Sequence, residues 1–79
     1  MKIQLKLLAT FRKYLPAETK GYSTEFAILP DTKVFDLLAH LKIADNADCV
    51  ILVNGKTPVD NQQLFEDDEV CIFPAMAGG

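Results

Sequence analysis

Apolar and polar residues alternate near the start of the chain. Apolar side chains occupy every second position from Ile3 to Leu7, with Gln4 and Lys6 between them. A period of two predicts a strand with one buried face. Residues 22–29 alternate in the same way and predict a second strand, so we expect an antiparallel hairpin whose connection has room for one helical turn. The residues expected on one face of the second strand are Tyr22, Thr24, Phe26 and Ile28.

The next segment has the spacing of a helix. Between residues 32 and 42, apolar side chains recur at intervals of three and four positions and form one stripe. Asp31 or Thr32 is expected to cap the first turn by accepting its free backbone N–H groups. We therefore expect a helix over residues 32–42, packed on the apolar face of the hairpin. The stripe consists of Val34, Leu37, Leu38 and Leu41.

The last part of the chain predicts two more strands. Cys49–Val53 is a continuous apolar run, typical of a central buried strand, and Asn54-Gly55 after it is a strong tight-turn signal. Leu64 is a lone apolar anchor, and residues 69–73 form the final strand. The order strand, strand, helix, strand, strand predicts an α+β domain of the β-grasp type, with a mixed four- to five-stranded sheet packed on one main helix.

Composition indicates one folded domain. The 79 residues are 49% hydrophobic and 24% charged, which is typical of a globular chain. The formal net charge is −3 and the lysines form no basic cluster, so we do not expect nucleic acid as a partner. Polar Gln4 and Lys6 interrupt the apolar N-terminus, so neither a signal peptide nor a membrane span is expected there. These features predict a cytoplasmic protein.

Few side chains could carry chemistry. The chain has one histidine, His40, and one serine, Ser23, which argues against a Ser-His-Asp triad. We interpret His40 as a solvated surface residue. Cys49 and Cys71 lie in apolar runs without metal-binding spacing, so we interpret both as small buried hydrophobes and expect no metal site. Residues 66–69 read as a solvated acidic turn in which Asp67 or Asp68 adopts a left-handed conformation. The domain is not expected to be an enzyme by itself.

The C-terminal segment is the exception. A short tail follows the final strand and Pro74 directly, and it ends in Gly78 and Gly79. Two glycines can thread a narrow slot and present an unhindered carboxylate. A carboxylate is a poor electrophile until it is activated, for example by adenylation with ATP. We therefore expect a domain over residues 1–74 and a flexible tail over residues 75–79. A frayed terminus or a cloning remnant is the alternative interpretation.

Several short motifs, taken in order, resemble the MoaD and ThiS families of ubiquitin-like sulfur carriers over nearly the whole chain. The ending Ile72-Phe-Pro-Ala-Met-Ala-Gly-Gly79 is closer to MoaD, the small-subunit family of molybdopterin synthase, than to ThiS. One departure is that Glu66 and Asp67 stand where these families have Asp-Gly in the turn before the last strand. The matching motifs are Leu29-Pro-Asp-Thr-Lys-Val-Phe-Asp-Leu-Leu38, Leu52-Val-Asn-Gly55, Leu64, Asp68-Glu-Val-Cys-Ile-Phe-Pro74 and Gly78-Gly79.

The resemblance implies a mechanism. A ubiquitin-activating-type adenylating enzyme (MoeB-like) would use Mg-ATP to make the Gly79 acyl-adenylate, which becomes a thiocarboxylate, and the domain itself would bind no cofactor. The large subunit of molybdopterin synthase (MoaE-like) would form a heterotetramer with the domain and receive the sulfur for the pterin precursor. Gly79 would be the carrier and Gly78 would give clearance. The docking channel would contact Phe73, Pro74, Ala75, Met76 and Ala77; ordinary core packing is an equal alternative for Phe73.

Other functions remain open at this point. The domain could carry sulfur for thiazole or cysteine synthesis, which changes only the acceptor. It could also be a ubiquitin-like modifier that conjugates Gly79 to lysines of target proteins, or a β-grasp interaction module with an inert tail. A carrier and a modifier both need a free Gly-Gly carboxylate and an adenylating enzyme, so the sequence does not separate them.

Overall fold

Four strands, one 3-10 helix and one α-helix form within residues 1–43 and 48–75, the parts of the chain that this computed structural model describes. The predicted helical turn between the first two strands is present as the 3-10 helix. The sequence also favours a loop at residues 45–48, between the helix and the third strand, and most of it lies outside the described residues. The elements are β1 (Lys2–Leu7), the 3-10 helix (Ala9–Tyr14), β2 (Ser23–Ala27), α1 (Val34–His40), β3 (Cys49–Val53) and β4 (Glu69–Pro74).

The strands form one mixed sheet in the order β2-β1-β4-β3. β1 and β2 are antiparallel, which confirms the predicted hairpin, and Ile3 lies opposite Phe26. β1 and β4 are parallel, with Leu5 opposite Val70, and β4 is antiparallel to β3. A parallel central pair requires a long crossover, which α1 and the segments around it provide. This arrangement confirms the predicted β-grasp architecture.

The hydrophobic core lies between α1 and one face of the sheet. All three alternating residues of β1 are fully buried, as the period of two predicts. The four residues of the predicted helical stripe are also buried, and Leu64 is 0% exposed, so it is the anchor that its isolated position indicated. The buried cluster consists of Ile3, Leu5, Leu7, Phe11, Val34, Leu37, Leu38, Leu41, Ile43, Val53, Leu64, Val70 and Ile72.

The prediction that Cys49–Val53 is a central strand is wrong. This strand, β3, lies at the edge of the sheet, and the two central strands are β1 and β4. Only Val53 in β3 is buried, while its other four residues are partly exposed. The run is continuous because both faces of β3 are apolar: Ile51 packs against the core, and Val50 and Leu52 point to the opposite face.

The helix starts later than predicted, at Val34, and neither Asp31 nor Thr32 caps it. Asp31 lies in the left-handed region, with φ of 68°, and therefore belongs to the preceding turn. The Thr32 hydroxyl donates a hydrogen bond back to the Leu29 carbonyl at 2.6 Å. Neither side chain accepts a hydrogen bond from the first helical turn, so the N–H groups of that turn need acceptors from elsewhere.

A distant segment satisfies that first turn. The Val34 N–H donates to the Gln62 carbonyl at 2.9 Å, and the Phe35 N–H donates to the Asn61 side-chain oxygen at 2.7 Å. The Asp36 carboxylate accepts from the Lys33 N–H at 3.0 Å. The helix start therefore depends on tertiary contacts with residues 61–62, and a local capping rule misplaces it.

The helix also ends earlier than predicted, at His40. The Lys42 N–H donates to the Ala39 carbonyl and the Ile43 N–H donates to the Leu38 carbonyl, both at 3.0 Å. Lys42 has φ of 63°, and buried Ile43 follows it. These features form a Schellman motif, which stops the helix even though the apolar stripe continues to Leu41.

The acidic segment before β4 forms a turn, as predicted. The Asp68 N–H donates to the Phe65 carbonyl at 3.1 Å, and the Asp68 carboxylate accepts from the Phe65 N–H at 2.8 Å. Asp67 is the left-handed residue, with φ of 67°. At the other predicted turn, Asn54 and Gly55 have φ of 54° and 81°, the pattern of a type I′ hairpin turn.

In the described parts of the chain, no helix has both the length and the apolar character needed to cross a membrane.

Candidate functional site at the end of β4

The last described residues are held by strands on both sides. The Ala75 N–H donates to the Asp48 carbonyl at 3.3 Å, which continues the β3–β4 pairing one residue beyond Pro74. On the other side of β4, the Leu8 N–H donates to the Ile72 carbonyl at 3.0 Å. β4 is therefore fixed by hydrogen bonds up to Ala75, the last residue that the structure describes.

An apolar surface lies beside this exit, on the face of the sheet that points away from α1. Val50 lies opposite Phe73, and Leu52 lies opposite Cys71. All four side chains are partly exposed. When one face of a sheet packs on the core and the other faces solvent, the side chains on the solvent face are normally polar. We call Val50, Leu52, Cys71 and Phe73 the outer apolar patch.

Phe73 belongs to this patch and not to the buried core. It is only partly buried, and it lies on the opposite face of β4 from the core residues Val70 and Ile72. Pro74 and Ala75 are also partly exposed. Their contribution to docking, like that of Phe73, remains a prediction. The predicted site residues Met76, Ala77, Gly78 and Gly79 lie outside the described residues, so their roles also remain predictions.

Both thiols are free and partly exposed. Burial raises the pKa of Cys71; nearby Lys6 opposes this shift and Glu69 adds to it. Burial also raises the pKa of Cys49, with a smaller contribution from Asp48. A raised pKa favours the protonated thiol, which is a poor nucleophile at neutral pH. The prediction that both cysteines are buried is wrong, because each is partly exposed and Cys71 lies in the outer apolar patch. Their raised pKa values still fit thiols that behave as small apolar residues.

His40 lies on the surface of α1. It is exposed, and its ring meets the ring of Phe26 edge to face, with centroids 5.5 Å apart. Ser23, on β2, is exposed as well. No group of three or more His, Cys, Asp or Glu side chains within residues 1–43 and 48–75 is arranged to hold a metal ion.

Sequence reasoning missed the outer apolar patch as a surface. The sequence does contain a signal for this surface: residues 49–53 and 70–73 are apolar at consecutive positions, whereas a strand with one solvated face would alternate. Taken alone, the first run predicts a central strand. An edge strand with one face on the core and the other at a protein interface produces the same pattern.

The fold and this site define a class of protein: a β-grasp domain whose last strand is followed by a short segment with Gly-Gly at its end. The model of the ThiS family matches residues 9–79. The chain belongs to the ThiS family. This assignment confirms the resemblance to ubiquitin-like sulfur carriers of the ThiS and MoaD type.

Solved structures support the same fold. A Pyrococcus furiosus protein, provisionally assigned as molybdopterin converting factor subunit 1, is 25% identical, with a TM-score of 0.73 over 95% of this chain and 98% of that one. The Haloferax volcanii HVO 2177 protein is 27% identical, with a TM-score of 0.75 over 100% of this chain and 87% of that one.

A third structure shares the fold at lower identity. Small archaeal modifier protein 1 from Haloferax volcanii is 18% identical, with a TM-score of 0.72 over 95% of this chain and 98% of that one. At this identity the likeness supports the fold alone. No curated protein has a sequence that matches this chain significantly.

Proposed function

We propose that this domain is the sulfur-carrier subunit of a molybdopterin synthase, and that its Gly79 carboxylate is converted to a thiocarboxylate. The observation that carries the proposal is the family match, which extends over residues 9–79 and so includes Gly78 and Gly79. Membership of this family supports a chemical role for the Gly-Gly segment, which its composition alone does not indicate.

The proposed chemistry has two steps. A Gly79 carboxylate oxygen attacks the α-phosphate of Mg-ATP in a partner adenylating enzyme, and pyrophosphate leaves. Hydrosulfide supplied by the sulfur donor then attacks the acyl carbon, AMP leaves with the electron pair of the broken C–O bond, and the thioacid loses its S–H proton to become the thiocarboxylate. Gly79 is the substrate of both steps, and Gly78 leaves room for the partner active site to close around the backbone.

The outer apolar patch supports docking on such a partner. It lies on β3 and β4, and β4 continues through Ala75 toward the tail. Partly exposed apolar side chains on one face are typical of the centre of a protein interface. A partner that covers Leu52 and Phe73 would hold the domain where residues 75–79 can enter an adjacent active site.

The sulfur acceptor is the finer part of the proposal. The ending Ile72-Phe-Pro-Ala-Met-Ala-Gly-Gly79 resembles MoaD, and the 25% identical Pyrococcus furiosus structure carries a matching provisional description. We therefore favour transfer to a pterin precursor in a complex with a MoaE-like large subunit, in the cytoplasm. Thiazole or cysteine synthesis would use the same loaded tail with a different acceptor.

The first experiment tests loading. The purified domain, with its terminus at Gly79 verified by intact mass, is incubated with the adenylating enzyme of its own organism, Mg-ATP and a sulfur donor. The expected mass increase equals the difference between one sulfur and one oxygen atom. Deletion of Gly79 should abolish the increase and leave thermal unfolding unchanged. A full-length domain that binds the enzyme but never gains this mass would refute the carrier assignment.

A pair of matched variants tests the docking surface. Leu52→Asp places a charge in the outer apolar patch, whereas Val59→Asp makes the same type of change at a residue that is 75% exposed on a loop. We expect Leu52→Asp to lower the loading efficiency at least about ten-fold, the loss typical of an interface hot spot. Val59→Asp should load normally. Thermal unfolding of both variants shows whether the effect comes from lost stability.

The acceptor assay separates the alternatives. Loaded domain is mixed with the large subunit and the pterin precursor, or with a thiazole synthase and its substrate, and loss of the sulfur mass is followed. Ubiquitin-like conjugation is the second candidate, because it needs the same Gly-Gly carboxylate and the same kind of adenylating enzyme. It would produce adducts of higher mass with an isopeptide bond between Gly79 and a target lysine. Such adducts without sulfur transfer would favour the modifier function.

A further inference from the structure

β2 is an edge strand with an open side. In the described parts of the chain it pairs only with β1. The Leu7 N–H donates to the Tyr22 carbonyl at 2.9 Å, and the Ile28 N–H donates to the Met1 carbonyl at 2.8 Å, so even-numbered residues of this segment bond to β1. The backbone groups of the odd-numbered residues Ser23, Glu25 and Ala27 therefore point away from the sheet.

These outward groups are accessible. Ser23, Glu25 and Ala27 are all exposed. Within the described residues, the one hydrogen bond on this edge is a local one, from the Thr24 hydroxyl to the Glu25 carbonyl at 3.2 Å. A carbonyl oxygen has two lone pairs, so this contact leaves Glu25 able to accept a second bond. An edge of this kind is a template for one more strand.

A groove runs along the helix side of the same edge. One part, of about 640 Å³, lies between the end of β2 and α1 and is lined by Leu29 and Leu37. A second part, of about 440 Å³, is lined by Phe26 and Leu41. His40 lines both parts, so they adjoin each other along β2. An added strand would send every second side chain into this groove.

The two ends of the groove carry opposite charge. Asp31 and Asp36 line the part next to the end of β2. Lys13 and Lys42 line the other part. A segment with basic residues at one end and acidic residues at the other would complement both ends.

We infer that the β2 edge and its groove bind an extended segment of a partner protein, paired antiparallel to β2. Antiparallel pairing is the more stable geometry, and it places the N-terminal end of the segment next to Asp31 and Asp36. The segment would therefore have basic residues first, then alternating apolar residues, then acidic residues. This binding is independent of sulfur loading, because it uses the edge opposite β3 and the helix side of the sheet.

Charge disfavours a second copy of the domain as the occupant. Two β2 strands paired antiparallel about their centres would place Glu25 directly opposite the same residue of the other copy. Like charges at directly opposed positions destabilise strand pairing. A partner segment with a neutral residue at this position avoids the repulsion.

The probe is a capped octapeptide with the sequence Lys-Lys-Ile-Thr-Ile-Thr-Glu-Glu, titrated into the full-length, isotope-labelled domain. We expect saturable shifts of the backbone amide signals of Ser23, Glu25 and Ala27, and of His40. The reversed sequence has the same composition and places its charges against like charges in antiparallel pairing, so it should bind more weakly. Asp31→Asn, which retains a side chain that tolerates φ of 68°, should reduce this difference.

Two N-methylated peptides test strand pairing without changing the protein. In an added strand, alternate amides point toward β2 and the others point to solvent. Methylation of the two amides that face β2 should weaken binding about ten-fold or more, while methylation of the other set should have little effect. Equal affinity of the two methylated peptides would refute strand addition.

The remaining outcomes are also decisive. The proposal is overturned if no shift occurs up to millimolar peptide, or if the shifts centre on Leu52 and Phe73 of the outer apolar patch. It is likewise overturned if, in the absence of peptide, sedimentation shows a dimer and the amide signals that change with protein concentration belong to β2. A second copy of the domain would then be the occupant.

Discussion

Asp67 offers a direct test of how the turn before β4 is stabilised. The residue has φ of 67°, a conformation that glycine adopts more readily than a residue with a side chain. The left-handed conformation costs an L-residue roughly 1–2 kcal/mol, although Asp tolerates it better than most. Glycine avoids this cost but loses roughly 0.5–1 kcal/mol more backbone entropy on folding. Asp67→Gly should therefore raise the free energy of unfolding.

Asp67→Ala is the matched control. Both variants remove one negative charge from residues 66–69, and both retain the N–H that donates to the Lys2 carbonyl at 2.8 Å. Only the glycine variant removes the free-energy cost of the left-handed backbone conformation at residue 67. We expect it to be about 1 kcal/mol more stable than Asp67→Ala, which corresponds to about 4–8 °C in the midpoint of thermal unfolding followed by circular dichroism. If the two variants unfold at the same temperature, the backbone of Asp67 is not a source of strain.

Three further predictions concern stability and the thiols. Leu64→Ala should lower the free energy of unfolding by about 2–5 kcal/mol in chemical denaturation, because Leu64 is 0% exposed, whereas Val59→Ala, at a residue 75% exposed, should change it by less than about 0.5 kcal/mol. Asn54→Ala should cost more than about 2 kcal/mol in the same assay, since it removes side-chain hydrogen bonds of 2.9 Å to Asp68 and to the Glu69 N–H and also leaves Ala at φ of 54°, which Asn tolerates better; unchanged stability would contradict this reasoning. Burial raises the pKa of Cys71 above that of the thiol in the unfolded chain. The contribution of the protonated Cys71 thiol to the stability of the fold is therefore complete below about pH 8.5 and is lost as pH rises through the native pKa. Thiol alkylation of the native protein should therefore be slower than that of free cysteine at pH 8, and equal rates would contradict the shift.

The elements that sequence predicts correctly are those whose signal depends on one buried face. Alternation from Ile3 to Leu7 and the stripe from Val34 to Leu41 each reflect contact with the same core, so period alone identifies them. Asn54 and Gly55 have the positive φ values that their residue types favour. In all these cases the determining interaction is local or repeats regularly along the chain.

The errors arise where distant contacts determine the structure. The start of α1 depends on Asn61 and Gln62, which are far away in sequence, so Asp31 and Thr32 looked like caps although they form a turn. The edge position of β3 depends on strand order, which no property of the run itself records. The same reasoning explains why the outer apolar patch was missed: its residues become neighbours only when β3 pairs with β4.

The two proposed binding surfaces lie on different parts of the sheet, and this has a consequence for function. The outer apolar patch is on β3 and β4 and faces away from α1, whereas the groove beside β2 is on the helix side of the opposite edge. β1 separates β2 from β4, so an added strand at β2 would not cover Leu52 or Phe73. A partner bound at β2 could therefore hold the domain while residues 75–79 are in an active site. The loading assay with Lys-Lys-Ile-Thr-Ile-Thr-Glu-Glu present tests this directly. Saturating peptide should leave the loading rate unchanged, whereas a lower rate caused by competition between the peptide and the adenylating enzyme would show that the two surfaces overlap.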